Sequence, residues 1–160
     1  MQITVETAAI HNLEELWRIE RECFTIEAFT REEIETLLRD PNAVGLLARI
    51  NGEVAGFIIG IIEKHGTIKF GHVYTVDVAV KYRRQGVGMK LLNEMENIFL
   101  KKGVETSYLE VRIDNQAARR LYRNEGYVEM EPLDDYYSSG VHGLRLRKQL
   151  KPKQSASFQL

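Results

Sequence analysis

The segment Lys81-Tyr-Arg-Arg-Gln-Gly-Val-Gly-Met-Lys90 carries four basic residues and no acidic one, with its glycines where a strand pattern gives way to a helical one. Amides in the first turn of a helix have no internal acceptors, and the helix dipole adds partial positive charge there. Gly86 and Gly88 would let phosphate oxygens reach that backbone with no Cβ in the way. This is an anion site suited to a diphosphate; the plainer alternative is a glycine-containing helix start with a solvated basic face. It is not a dinucleotide fingerprint, because Leu91 stands at the third glycine position, and no glycine run ends in Lys-Ser/Thr. Farther along, Glu110 interrupts the apolar strand pattern Tyr108-Leu-Glu-Val-Arg112. An acid there is costly unless it pairs, with Arg112 on the same face, or borders a cleft where its carboxylate can accept a proton. Tyr122, on a helical pattern beginning at Asn115, offers either a phenol proton or an ordinary packed ring. Cys23 has no locally paired histidine and reads as a packing residue, and His72 at a strand start reads as structural, with a proton relay as the alternative.

The elements that must position these groups are legible from periodicity. Ile3 to Glu6 suits a short strand, and Leu13, Leu16, Trp17, Glu20 and Phe24 fall at helical spacing with Asn12 as N-cap, Glu20 interrupting the apolar stripe. Thr30-Arg-Glu-Glu33 is a capping box for a second helix carrying Ile34, Leu37 and Leu38. Val44 to Ile50 and Val54 to Ile62 read as strands joined at Asn51-Gly52, a pair suited to a tight hairpin. A turn at His65-Gly66 precedes a strand over His72 to Val80, and Leu91, Leu92, Met95, Ile98 and Phe99 define a helix ending at Gly103. Thr106 to Val111, a helix from Asn115 to Gly126, and strands over Tyr127 to Met130 and Leu144 to Leu146 complete the pattern. The order indicates an α/β or α+β domain on a mixed sheet.

Composition is consistent with one domain: 160 residues, 44% hydrophobic, with a single cysteine and no zinc-finger spacing, so neither disulfide nor structural metal is called for. Residues 1–150 read as the domain and 151–160 as a flexible tail. No signal-like start or membrane-length apolar run is present, so a cytoplasmic protein without a membrane partner is expected. The formal charge of -1 argues against whole-surface attraction to nucleic acid, and no nucleic-acid motif is found, although the basic run Arg145 to Lys153 leaves ribosome proximity open. The total hides a division: residues 1–40 are strongly acidic and the remainder is net basic.

Arg83-Arg-Gln-Gly-Val-Gly88 matches the R/Q-x-x-G-x-G/A motif of the GNAT acyltransferases, which bind acetyl-CoA. Leu109-Glu-Val-Arg112, Asn115, Ala118, Leu121-Tyr122 and Gly126-Tyr127 resemble the second half of that coenzyme site, in particular in ribosomal-protein-alanine and archaeal amino-terminal acetyltransferases. Glu22-Cys-Phe24 and Tyr136-Tyr137 followed by Gly140 are similar to the same subgroup, so the resemblance runs to about Leu150; Val141-His-Gly143 departs from it, and no role is carried onto those three residues. The resemblance implies a mixed, mostly antiparallel sheet flanked by helices, with splayed central strands. It implies that the backbone of Val78, Ala79 and Val80 pairs with the pantetheine arm, and that Arg83, Arg84, Gln85, Gly86, Val87, Gly88 and Met89 hold the pyrophosphate. Asn115 would bond the coenzyme arm, or serve only as an N-cap.

Acetyl transfer to an amine needs an acceptor for the amine proton and a donor for the departing thiolate. By resemblance Glu110 is the base and Tyr122 the acid, while Phe24, Glu27, Tyr136 and Tyr137 line the groove for a peptide amino terminus. An α-amine has a pKa of about 7.7 to 8.0, so roughly a tenth is neutral at pH 7, against less than about one part in a thousand for lysine. Peptide amino termini are therefore favoured over lysine, and the resemblance points the same way, implying ribosomal proteins among the substrates and direct reaction without a metal. A small-molecule amine acetyltransferase and a non-catalytic coenzyme- or partner-binding module are the alternatives.

Overall fold

The structure is a computed structural model that describes residues 2–150; the expected tail, 151–160, lies outside the described residues. Seven strands form one sheet: β1 (Ile3–Thr7), β2 (Ala43–Ile50), β3 (Glu53–His65), β4 (Ile68–Val78), β5 (Thr106–Arg112), β6 (Val128–Ser138) and β7 (Val141–Gln149). Their spatial order is β1-β2-β3-β4-β5-β7-β6, and every neighbouring pair is antiparallel except β4 with β5. That parallel pair requires a crossover, supplied by α3 (Val87–Lys101). The other helices are α1 (Leu13–Cys23), α2 (Arg31–Arg39) and α4 (Gln116–Asn124). No helix of the described residues is long and apolar enough to cross a membrane.

The two faces of the sheet carry separate cores. Leu91, Leu92, Met95 and Phe99 of α3 pack with Ile58, Leu109, Val111 and Leu146 on one side. Leu16 and Ile19 of α1 and Ile34 of α2 pack with Leu47, Phe57 and Ile59 on the other. Phe57, Ile58 and Ile59 thus alternate between the two cores, as the two-residue period of a strand covered on both faces demands. Gly71 is required by packing: a Cβ there would stand 2.3 Å from the Phe99 ring.

Local signals hold where the reason is local. Thr30 accepts from the Glu33 amide (3.1 Å) while the Glu33 carboxylate accepts from the Thr30 amide (2.9 Å), and the β2–β3 turn has φ of 52° at Asn51 and 79° at Gly52. Three expectations change. The Asn12 side chain accepts from the Ala9 amide at 2.9 Å and makes no cap bond to α1, because a short 3-10 turn, Ile10–Asn12, leads into the helix. β4 starts at Ile68 and ends at Val78, with Val80 already in the 3-10 turn Val80–Tyr82. β6 extends to Ser138 and so includes Tyr136 and Tyr137. This strand lies at the sheet edge, where Pro132 and two register shifts are tolerated and no apolar alternation is demanded.

β4 and β5 pair only from Phe70 with Thr106 to Val73 with Leu109. Beyond that point the last residues of β4 and Glu110 to Arg112 of β5 separate, β5 remaining bound to β7. The splayed central strands expected from the sequence are present, and the candidate site lies in the opening.

Candidate active site

One wall of the opening is the turn after β4. Arg84 and Gly86 have positive φ, 62° and 85°, so the chain doubles back before α3 begins at Val87. The first helical bond runs from the Lys90 amide to the Gly86 carbonyl (3.0 Å), leaving the amides at Val87, Gly88 and Met89 without intrahelical acceptors. A Cβ on Gly86 would meet nothing within 4 Å, and one on Gly88 would touch Leu121 and Val78 at 3.4 and 3.5 Å. Conformation demands the first glycine, whereas a Cβ at the second would be in ordinary van der Waals contact. Gln85 bonds the Lys81 carbonyl at 3.4 Å. These residues are the ones expected from the sequence to hold an anion, and their backbone geometry is compatible with that expectation.

The neighbouring backbone is less open than expected. The Ala79 amide donates to the Ala55 carbonyl (2.8 Å) and the Val80 amide to the Glu22 carboxylate. The Val78 carbonyl accepts from Arg83 Nε (3.1 Å) and from the Cys23 thiol (3.3 Å). A coenzyme arm pairing here would therefore replace bonds to Glu22, Cys23 and Arg83. The Cys23 thiol is pushed up to about 11, chiefly by burial, so it stays protonated, in keeping with a packing role.

Inside the opening a pocket of about 110 Å³ brings together Phe24, Glu27, Glu110, Asn115, Tyr122 and Tyr137. Residues separated by more than a hundred positions thus share one small cavity. Tyr136 does not line it; its ring stands edge-on to Tyr137 (4.9 Å) and its Cβ lies 3.2 Å from where a Cβ on Gly143 would sit. Asn115 caps α4, accepting from the Ala118 amide at 3.1 Å as its N-cap reading expects, and it also lines the cavity. Glu27 is held by the Thr25 amide (3.0 Å) and lies 3.5 Å from Arg112 Nε.

Glu110 does not pair with Arg112, which turns to Asp114 (2.9 Å) and Glu27. Its carboxylate instead meets His72 Nε2 at 2.7 Å and Arg145 Nε at 3.1 Å. Burial opposes its charge, but the bonds to His72 and Arg145 outweigh that and hold the carboxyl below the usual carboxylate range. The other ring nitrogen of His72, Nδ1, lies 3.6 Å from Glu63, and the ring stacks on Tyr108 (4.2 Å). The sequence reading of His72 as structural missed this. The parallel register that sets His72 beside Tyr108, and so next to Glu110, exists only in the folded sheet. Arg145, from β7, was likewise invisible as a partner. Tyr122 is buried, and burial pushes its phenol up, so it carries its proton at neutral pH.

A mixed sheet with a single parallel pair splayed over a glycine-rich helix start, with an acid and a phenol in the opening, is the layout of a coenzyme-dependent acyl transferase. The acetyltransferase (GNAT) family model matches residues 11–127, and the chain belongs to this family. Over 115 residues it is 35% identical to an N-alpha-acetyltransferase of Sulfurisphaera tokodaii, covering 64% of this chain and 67% of that protein. Over 117 residues it is 35% identical to the catalytic subunit NAA20 of an N-terminal acetyltransferase B complex of Arabidopsis thaliana, covering 71% and 66%. The chain thus spans about two thirds of the length of these curated relatives. The ribosomal-protein-S18-alanine N-acetyltransferase of Escherichia coli superposes with a TM-score of 0.83 over 97% of this chain and 98% of that one, at 22% identity. Arabidopsis thaliana NAA60 in complex with acetyl-CoA gives 0.82 over 92% and 98%, at 21% identity. At these identities the two structures speak to the fold.

Proposed function

We propose that the protein transfers an acetyl group from acetyl-CoA to the α-amine of peptide or protein amino termini, by direct attack and without a covalent enzyme intermediate. The observation that carries this reading is the convergence, at the splay of β4 and β5, of a charged Glu110 and a protonated Tyr122 in one small pocket. Relatives named N-alpha-acetyltransferases support the amino-terminal substrate. The unpaired amides of Val87 to Met89, with Arg84 beside them, fit a diphosphate-bearing coenzyme. Bound there, acetyl-CoA supplies an activated acetyl group and a sulfur leaving group.

The chain's own groups divide the remaining work. The Glu110 carboxylate draws in the amino terminus and accepts its proton in concert with His72, to which it is bonded. His72 leads on toward Glu63 at the rim, giving the proton a way out of the pocket. The Tyr122 phenol donates to the departing sulfur. Phe24, Glu27 and Tyr137 bound the space left for the first substrate residue. An α-amine is already partly neutral at pH 7, so a carboxylate held below its usual range is base enough when positioned.

Steady-state kinetics with acetyl-CoA and a panel of short peptides, including an Ala-initiated ribosomal-protein terminus, tests the reading, with mass spectrometry to locate the acetyl group. Acetylation at the amino-terminal residue is expected. Turnover of small amines with none of any peptide overturns it in favour of a small-molecule enzyme, and coenzyme binding without turnover of any amine in favour of a binding module.

A further inference from the structure

Three polar groups at the floor of the substrate pocket take no part in the chemistry above: Glu20 and Thr75 line it, and Asp77 lies outside its lining. Glu20 of α1 is 1% exposed, Asp77 of β4 is fully buried, and Thr75 of β4 is 6% exposed. The Thr75 hydroxyl contacts Glu20 Oε1 at 3.2 Å and also Asp77 Oδ1. A hydroxyl has one hydrogen to give. It bonds both carboxyl oxygens fully by donating to one and accepting O–H from the other, an arrangement in which the cluster holds one carboxyl proton. Asp77 is the natural carrier: it is the more deeply buried, its Oδ2 has no partner among the described residues, and burial with the neighbouring Glu20 raises its pKa. Glu20 then stays ionised, and its second oxygen, Oε2, accepts from the Phe29 amide at 3.0 Å.

That last bond reaches out of the core. Residues 24–30 link α1 to α2 and bring Phe24, Glu27 and Phe29 to the pocket wall. Phe29 also packs against Tyr74 of β4, ring centres 6.3 Å apart. The linker's α2 end is thus tied through Glu20 to the strand bordering the splay. We propose that Glu20, Thr75 and Asp77 form a one-proton clamp that fixes the 24–30 segment over the pocket, making Glu20 a positioning residue for the incoming amine. The inference rests on the proposed amino-terminal acetylation for its kinetic half, while the clamp itself is a property of the free protein. The other ionisable groups facing it are Cys23 on α1, Glu27 on the linker, Arg83 on the turn after β4 and Tyr122 on α4. None of them offers the Phe29 amide a second acceptor.

Hydrogen exchange of the 24–30 segment in the substrate-free protein, read beside kinetics, tests this. Glu20→Ala is expected to speed exchange in that segment and raise the peptide KM by roughly ten- to a hundredfold, the loss that goes with one charge-assisted hydrogen bond, while the acetyl-CoA KM stays put. Glu20→Gln keeps an oxygen for the Phe29 amide, and Asp77→Asn places N–H donors where the shared proton sat; both are expected to restore protection and peptide KM. Thr75→Val keeps the volume, deletes the bridge, and carries the same test should Glu20→Ala not fold. Exchange unchanged in Glu20→Ala, or in Thr75→Val in its place, overturns the clamp. Peptide and acetyl-CoA KM rising together overturn the positioning role. If the wild-type protein acetylates no peptide, the positioning role falls with that reading, while the exchange data still decide the clamp.

Discussion

Two acidic clusters sit on the same side of the sheet, a few residues apart along β4, and are held in opposite ionisation states. At His72 the strand meets Glu110, whose partners are an imidazole and the Arg145 guanidinium; the carboxyl is pulled below its usual range and is charged. At Thr75 and Asp77 the strand meets Glu20, and two acids face each other across a hydroxyl; burial pushes both upward, and the charge of Glu20 pushes Asp77 farther. Both sites are buried, so burial alone does not set the state. The partner decides, because a cation offsets desolvation and a second carboxylate compounds it. The charged cluster suits an acceptor for a cationic substrate, and the proton-holding cluster suits a fixed internal bond.

The largest break in this contrast comes from removing the charge at the first cluster. Glu110→Gln is expected to lower kcat by about 10²- to 10⁴-fold while coenzyme affinity is retained, checked by steady-state kinetics beside direct acetyl-CoA binding. Tyr122→Phe, which keeps the packed ring and loses the donor, is expected to cost about a hundredfold in kcat in the same assay. A subtler break leaves the acid and removes one cation. Arg145→Ala deletes a partner that holds Glu110 down, so the acidic limb of the kcat/KM profile, where it reports Glu110, is expected to move to higher pH.

The smallest effects sharpen the contrast through stability. Glu110 has a lowered pKa in the folded state, so its contribution is present above the ordinary carboxylate range and is lost as pH falls through the folded value. Denaturant titrations should therefore show wild type and Glu110→Gln converging in acid. Asp77 has a raised pKa, so its cost is absent below the ordinary aspartate range and grows as pH rises toward the folded value. Asp77→Asn should accordingly gain on wild type as pH rises from about 4 toward neutrality. Parallel curves for the two variants would remove the distinction between the clusters.

Much of this was written locally. Thr30 and Glu33 announce a helix start, Asn51-Gly52 a hairpin, and Gly86 the turn into α3, because each depends on neighbours within a few residues. The extent of β6 was not legible, since an edge strand needs no apolar alternation. Glu20 was visible as an interruption of an apolar stripe, yet its meaning lay 55 residues away at Thr75. His72 looked structural until the parallel pairing of β4 and β5 set it against Glu110, and Arg112 looked like the partner of Glu110 until β7 supplied Arg145.

The sequence by itself determined the family, the order of elements, the glycine-containing turn before α3, and Glu110 and Tyr122 as residues with something to explain. Only the tertiary structure decided which partners those residues have. Ionisation depends on desolvation and on charges within a few ångströms, and in a sheet whose neighbours are far apart in sequence those distances are set by strand register, which local spacing does not encode.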